Sequence, residues 1–324
     1  MFRRIGKRVL TFILLLIVFI YLNNSSIFIS SDQKKPFLLA HRGVAQTFPM
    51  EGITGDTCTA EKIFKPQHTY IENTIPSMEA AFKAGADIVE LDVQPTLDGE
   101  FAVFHDWTLD CRTNGTGVTR EHTMEELKLL DIGYGYTADS GKTYPLRGKG
   151  AGLMPTLNEV LEHFPEQSLL IHIKSNDPLE GEKLADYLSM QGDSRPRNLS
   201  VYGGNEPIAS LKENLPEMRV MSVETMKSCL IPYLTVGWTG YVPSSCENTQ
   251  LHIPEKYAPF LWGFPGRFVD RMERADTTVI LVAGDGGWSE GFDDQQDLQR
   301  ISKKYDGGIW TNRIDLIGQM VKEE

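Results

Sequence analysis

Glu90 and Asp92 stand two residues apart in the run DIVELDV (87–93). On a strand, residues i and i+2 share one face. Two carboxylates would therefore share one side of a strand whose other side carries Val89, Leu91 and Val93. Buried like charges repel and lose their hydration, and a divalent cation removes both penalties. Oxygen donors of this kind favour Mg²⁺ or Ca²⁺. His41 closes the run FLLA (37–40), and His105 closes FAVF (101–104). Imidazole gives and takes protons near neutral pH, so two of them suit a general acid and a general base. Arg42 and Lys174 add the cations that hold phosphate, one as a fork and one as a point charge. Their plainer use would be ion pairing with Glu90 and Asp92. Gly43 would let the backbone approach a ligand closely. Acids, imidazoles, cations and a metal together suit phosphoryl oxygens. His68, His122, His163 and His252 have no comparable setting and read as ordinary loop or helix-surface residues.

These groups need a scaffold that collects strand ends. After residue 36, short apolar runs alternate with amphipathic stretches. The runs are 37–40, 87–93, 101–106, 168–174, 199–204, 219–223, 238–243, 278–284 and 307–313. Helical patterns fill 74–85, 156–164, 180–190, 224–234 and 267–275. Repeated βα alternation implies a parallel sheet or barrel. Polar residues recur at the ends of several strands, which fits the C-terminal face of a (β/α)₈ TIM barrel better than the single switch point of a doubly wound sheet. No GxGxxG or GxxxxGK[ST] signature occurs. Only QPTLDGE separates 87–93 from 101–106, too little chain for a helical crossover. The α/β barrel should be irregular there, with a helix missing.

The chain has 324 residues and a net charge of −12. Residues 1–35 carry six basic groups against Asp32 alone, so the remainder carries −17. An acidic body argues against nucleic acid as a partner. The segment MFRRIGKR followed by the apolar run 9–22 has the form of a basic n-region and an h-region. Its 14 residues are short of the roughly 20 that span a bilayer. Without a small-x-small cleavage site, it reads as an uncleaved signal anchor, with a cleaved signal peptide as the alternative. Positive charge stays in the cytoplasm, so the body should be extracytoplasmic. Residues 1–35 form the basic tip, anchor and linker, and 36–324 form the barrel.

The motifs AHRG (40–43), ENT (72–74), AFKAGADIVELDVQPTLDGEFAVFHD (81–106), CRTNGTG (111–117), PTLNEVL (155–161), IHIKS (171–175) and GGIWTNRID (307–315) resemble the glycerophosphodiester phosphodiesterases of the PLC-like phosphodiesterase superfamily. The resemblance implies a TIM barrel that hydrolyses glycerophosphodiesters to glycerol 3-phosphate and an alcohol. It implies His41 and His105 as the acid–base pair, with Glu90 and Asp92 as metal ligands. Arg42 and Lys174 would contact phosphate, and Glu72 would brace the site or touch glycerol. His172 falls where the family usually has a third ligand, Glu. Imidazole there would also admit Mn²⁺ or Zn²⁺. Asn312 falls where Asp is common. The 28 residues of 44–71 form an insert longer than in most members, which should cover part of the pocket. Two other readings share these residues. One is a metal-independent phospholipase C-like or D-like enzyme acting on lipid or lysophospholipid. The other is a non-catalytic, membrane-tethered binding module.

Cys58, Cys111, Cys229 and Cys246 have no zinc-like spacing. Outside the cytoplasm they can form two disulfides. Cys58 in the insert and Cys111 past FHD both belong on the C-terminal face of the barrel. Cys229, early in the helix after RVMSV, and Cys246, just past the run 238–243, should also meet near that face. The pairings Cys58–Cys111 and Cys229–Cys246 are therefore expected over the crossed ones.

Overall fold

Strands β1 (Phe37–Ala40), β2 (Ile88–Pro95), β4 (Ser168–Ile173), β5 (Leu199–Gly203), β6 (Arg219–Met221), β7 (Gln250–Pro254), β8 (Thr278–Val282) and β9 (Gly308–Thr311) pair in parallel in the order β6-β5-β4-β2-β1-β9-β8-β7. A single parallel bridge, Val220 with Thr249, brings the two end strands together. The result is the expected barrel, nearly closed. The structure is a computed structural model and describes residues 2–28, 35–54, 57–191, 198–287 and 290–323.

Strand β3 (Phe101–Val103) explains the missing helix. It turns back through Asp98-Gly99 and runs antiparallel to β2, with Val93 opposite Val103. It lies off the barrel path. The short α3 (Met124–Lys128) and α4 (Leu157–His163) follow before β4. The other helices are α2 (Ile75–Ala84), α5 (Pro178–Met190), α6 (Asn205–Asn214), α7 (Val223–Val236), α8 (Gly266–Glu273), α9 (Gln295–Arg300) and α10 (Ile314–Glu323). Helix α2 shows why they start and stop. Thr74 caps its N-terminus by accepting from Ser77 N, Pro76 sits in its first turn, and Gly85 ends it at φ 116°.

Strand alternation sorts the chain into two layers. Leu38, Ala40, Val89, Leu91, Leu169 and Ile171 point outward into the main core under the helices. Leu39, Ile88, Leu170, Ile280 and Trp310 point inward and pack together as an apolar layer inside the barrel. Continuing the inward parity toward the strand ends gives His41, Glu90, Asp92, His172, Lys174, Tyr202 and Asn312. Apolar side chains thus fill the barrel below, and polar ones gather above.

Two expectations are corrected. The run 238–243 is not a strand. It is a 3-10 turn over Gly237–Thr239 followed by Gly240 at φ 91°, and Pro243 has no amide to donate. The barrel strand is instead QLHIP, 250–254, whose short alternation hid it. His252 is therefore neither a loop nor a helix-surface residue. It lies on β7, 5.4 Å from the rings of Tyr202 and Trp310.

The N-terminal helix α1 (Phe2–Asn24) is longer than the apolar run alone suggested. Its segment Ile5–Asn24 is long and apolar enough to cross a membrane. Both pairings are as expected, Cys58–Cys111 and Cys229–Cys246. The second bridge, however, lies away from the C-terminal face. With the run 238–243 not a strand, Cys246 comes just before the start of β7, where Thr277 ahead of β8 donates to its carbonyl.

Candidate active site

His41, Arg42, Glu72, His105, His172 and Lys174 line one cavity of about 170 Å³, together with Tyr202, Asp293 and Asn312. Glu90 and Asp92 are fully buried beside it. The insert supplies much of the wall, through Gln46, Phe48, Met50, Ile53 and Thr57 among others. It covers the pocket as its length suggested.

Register explains the central cluster. Asp92 and His172 are paired positions on neighbouring parallel strands. His172 Nδ1 lies 2.9 Å from Asp92 Oδ1 and 3.8 Å from Glu90 Oε1. The Tyr202 ring stacks on His172 at 4.2 Å, and its hydroxyl donates to Glu90 Oε1 at 2.8 Å. Ligand atoms of Glu90, Asp92 and His172 all fall within 4.8 Å of one another. Burial, then the charge of Asp92, pushes the Glu90 carboxyl up to about 8. Burial also opposes ionisation of Asp92, but Arg42 and His105 outweigh it and hold that carboxyl well below its usual range. Burial keeps His172 below its ordinary value, hence neutral. Two fully buried acids and a neutral imidazole make a donor set that fits a divalent cation.

Arg42 adopts φ 59°, a left-handed conformation that non-glycine residues rarely hold. The turn aims its amide at Glu90 Oε2, 3.0 Å away. Its guanidinium meets Asp92 Oδ2 at 3.0 Å through Nε and Glu72 Oε1 at 2.9 Å through Nη1. The ion pairing weighed for Arg42 is therefore present with Asp92. Gly43 has a different role from the one expected. Its φ is 76°, and a Cβ there would come within 2.5 Å of Ser77 Oγ. The glycine makes room for the start of α2, not for a ligand.

Each of the two imidazoles, His41 and His105, is oriented from behind. His41 Nδ1 lies 2.6 Å from Asn312 Oδ1. Asn312 Nδ2 donates to Asp293 Oδ2 at 2.8 Å, and Asn312 N donates to Asp293 Oδ1 at 2.7 Å. The amide oxygen must then face His41 and accept its Nδ1 proton, which leaves Nε2 with the lone pair. Burial and the nearby Arg42 hold His41 well below its ordinary value. His105 Nδ1 lies 2.6 Å from Asp106 Oδ1, and Lys174 Nζ lies 2.6 Å from His105 Nε2. Burial and Arg42 lower His105 to about 4. Burial also lowers Lys174.

Arg112 ties these parts together. It is 2% exposed. It donates to Asp106 Oδ2 at 2.8 Å, Glu72 Oε2 at 3.0 Å, Tyr136 OH at 2.6 Å and Thr59 Oγ1 at 2.6 Å. Asp106 orients His105, and Glu72 holds Arg42, so one guanidinium supports both sides of the cavity. Glu72 is engaged as a brace. Arg112, Asp106 and Asn73 all lay within recognised motifs without an assigned role. Asn73, at φ 58°, donates to Asp92 Oδ2 at 3.0 Å. Asp293 and Tyr202 carried no local signal, because only the barrel brings them to the site.

The chain matches the family model described as the glycerophosphoryl diester phosphodiesterase family over residues 41–211. A glycerophosphodiester phosphodiesterase of Bacillus altitudinis is 40% identical over 184 residues, 54% of this chain and 71% of that protein. One of Bacillus subtilis is 35% identical over 171 residues, 48% of this chain and 57% of the relative. With a relative from Caldanaerobacter subterraneus, the match covers 45% of the relative's length, so the chain spans about half of these two proteins. Among solved structures, a glycerophosphodiester phosphodiesterase from Agrobacterium tumefaciens superposes with a TM-score of 0.58 at 23% identity, covering 88% of this chain and 99% of that one. A phosphodiesterase of Oleispira antarctica, solved with the product sn-glycerol-3-phosphate, gives 0.57 at 20% identity, covering 90% and 98%. These neighbours have the same fold. The family match begins at His41 and takes in both histidines and the whole Glu90–Asp92–His172 cluster, so the chain belongs to the glycerophosphoryl diester phosphodiesterase family.

Proposed function

We propose that the protein hydrolyses glycerophosphodiesters to glycerol 3-phosphate and an alcohol by metal-assisted general acid–base catalysis. The observation that carries this reading is the pairing of two backed imidazoles with a buried three-ligand cluster in one cavity. Glu90, Asp92 and His172 would hold the cation, with Mg²⁺ or Ca²⁺ favoured by the carboxylates and Mn²⁺ or Zn²⁺ admitted by the imidazole. When bound, such an ion polarises phosphoryl oxygen and eases loss of a proton from a nearby hydroxyl.

The protein's own groups do the rest. Arg42 and Lys174 attract and orient the phosphodiester anion. His41 Nε2, fixed as a lone pair by Asn312, takes the proton of the glycerol hydroxyl that attacks phosphorus. In the free site His105 Nε2 accepts from Lys174. Once the phosphodiester anion engages Lys174, Nε2 takes up a proton and passes it to the leaving alcohol, with the Asp106 carboxylate behind Nδ1 stabilising the imidazolium. The P–O bond to the alcohol breaks as the new one forms, giving a cyclic phosphate. Water then opens the ring with the two roles reversed.

The anchor reading belongs with this function. Helix α1 would cross the membrane with Arg3, Arg4, Lys7 and Arg8 on the cytoplasmic side. An extracytoplasmic barrel is in keeping with two disulfides. The test is turnover of sn-glycero-3-phosphocholine by the full chain, with and without a chelator. Glycerol 3-phosphate and choline in equal amounts, lost on chelation, support the reading. Phosphocholine as product, or activity indifferent to chelation, refutes it.

A further inference from the structure

Among the described residues, the polar contacts of helix α1 with the body gather at its C-terminal end. Its segment Ile5–Asn24 has 20 residues, about 30 Å at the rise of an α-helix, which is the thickness of a bilayer's hydrocarbon core. No side chain from Ile5 to Tyr21 is buried. The last residues, in contrast, are held tightly. The side chains of Asn23 and Asn24 donate to Trp238 O at 3.1 and 2.9 Å. Arg271 on α8, 7% exposed, donates to Asn24 Oδ1 at 3.0 Å, Asn23 O at 2.9 Å and Gly237 O at 2.9 Å.

This grip lies at the end of the barrel opposite the catalytic mouth. Trp238 sits between the end of α7 and the start of β7, and Arg271 lies shortly before the start of β8. His41, Lys174 and Asn312 all follow the far ends of their strands. A spanning helix delivers Asn23 and Asn24 at headgroup level, so the groups bonded to them lie at that level too. The surface there is mixed: Glu247, Arg267, Asp270, Arg274 and Asp276 line an open pocket around Arg271, and an apolar and aromatic strip lies beside it. Ile231, Leu234 and Trp238 fall at i, i+3 and i+7, with Ile231 and Leu234 exposed, and Tyr241 beside them is 62% exposed. Tryptophan and tyrosine rings favour the membrane–water interface.

We infer that the base of the barrel around Ile231, Leu234, Trp238 and Tyr241 is a membrane-contact surface, seated on the headgroups of the bilayer that α1 crosses. The catalytic mouth then opens into water, at least a strand length, roughly 15 Å, from that bilayer. The inference rests on the anchor reading. It means that the site draws diesters from the aqueous phase and not from the leaflet beneath it.

The test uses the full chain in phosphatidylcholine–phosphatidylglycerol vesicles, with a nitroxide at Tyr241→Cys or at Phe64→Cys, an exposed position of the insert. The label at 241 should collide more with membrane-dissolved oxygen than with a water-soluble nickel chelate, and the label at 64 should show the reverse. The opposite order, or two labels behaving alike, overturns the surface. The same vesicles should hydrolyse external sn-glycero-3-phosphocholine at least about tenfold faster than lysophosphatidylcholine in their own bilayer, a barrier difference of about 1.4 kcal/mol. Equal rates overturn the orientation. Inert vesicles with the expected label order refute the proposed function and leave the surface supported. Protein that does not float with the vesicles overturns anchor and surface together.

Discussion

The Cys58–Cys111 bridge should matter to catalysis, and the Cys229–Cys246 bridge only to stability. The first closes a loop of 53 residues and the second one of 17. Loop-closure entropy assigns them about 4 and about 3 kcal/mol of stabilisation, as upper values. The two bridges differ little on that scale. They differ in what they hold. Cys58 and Cys111 are the immediate neighbours of Thr59 and Arg112, which are joined by a 2.6 Å hydrogen bond. The same guanidinium carries Asp106, and through it His105. Releasing the bridge frees Thr59 to leave Arg112, a charge-assisted contact of about 1.5–3 kcal/mol. If the catalytic geometry relaxes by half of that, kcat falls about three- to tenfold. The assay pairs denaturant unfolding with turnover per folded molecule for Cys58→Ala/Cys111→Ala and Cys229→Ala/Cys246→Ala. Both double variants should lose stability, and only the first should lose kcat. Unchanged kcat in the first variant, or a larger loss in the second, refutes the link between insert and imidazole.

Asn312→Leu removes the acceptor that fixes His41 Nδ1–H, so kcat should fall about 100-fold with little change in KM, the scale of a lost general base. Asn312→Asp keeps an oxygen facing the ring, and with Asp293, raised by burial, holding the proton between the two acids it should recover most of that loss; steady-state kinetics of the pair decides. His252 is pushed down to about 3 by burial and then by His172. Its ring stays neutral in the folded protein while the unfolded chain takes up a proton below about 6.5. The sign is loss of stability on acidification. The contribution is fully present above pH 6.5 and declines as pH falls toward 3, by about 2 kcal/mol at pH 5. His252→Phe keeps the ring packing against Tyr202 and Trp310 and should flatten the pH dependence of the unfolding midpoint between pH 7 and 5. An unchanged slope would show that His252 does not titrate on unfolding.

The inward parity of the strands was readable in advance for β1, β2 and β4, because each ends in polar residues at alternate positions: His41, Glu90 and Asp92, His172 and Lys174. The hairpin that replaces a βα unit was readable as a shortage of chain between 93 and 101, though not its antiparallel pairing. What stayed hidden depended on long-range packing. QLHIP has only Leu251 and Ile253 as an apolar signal, so the pattern favours the more apolar 238–243 as a strand and passes over β7 and His252. Asp293 sits in a loop with acidic neighbours and becomes meaningful only when Asn312 is brought to 2.8 Å. Gly43 was rightly singled out as a special backbone position, but its reason, Ser77, comes from a helix 34 residues later. Arg112 joins four partners from four separate segments, a role no local pattern can announce.

The central claim is that His41 and His105 act together as acid and base on one phosphodiester. The direct measurement is single-turnover cleavage of sn-glycero-3-phosphocholine by metal-loaded wild type, His41→Ala, His105→Ala and the double variant, each checked for folding. Each single variant should lose at least roughly 100-fold in the chemical step, and the double variant should lose far less than the product of the two. A folded single variant that turns over near the wild-type rate would contradict the account.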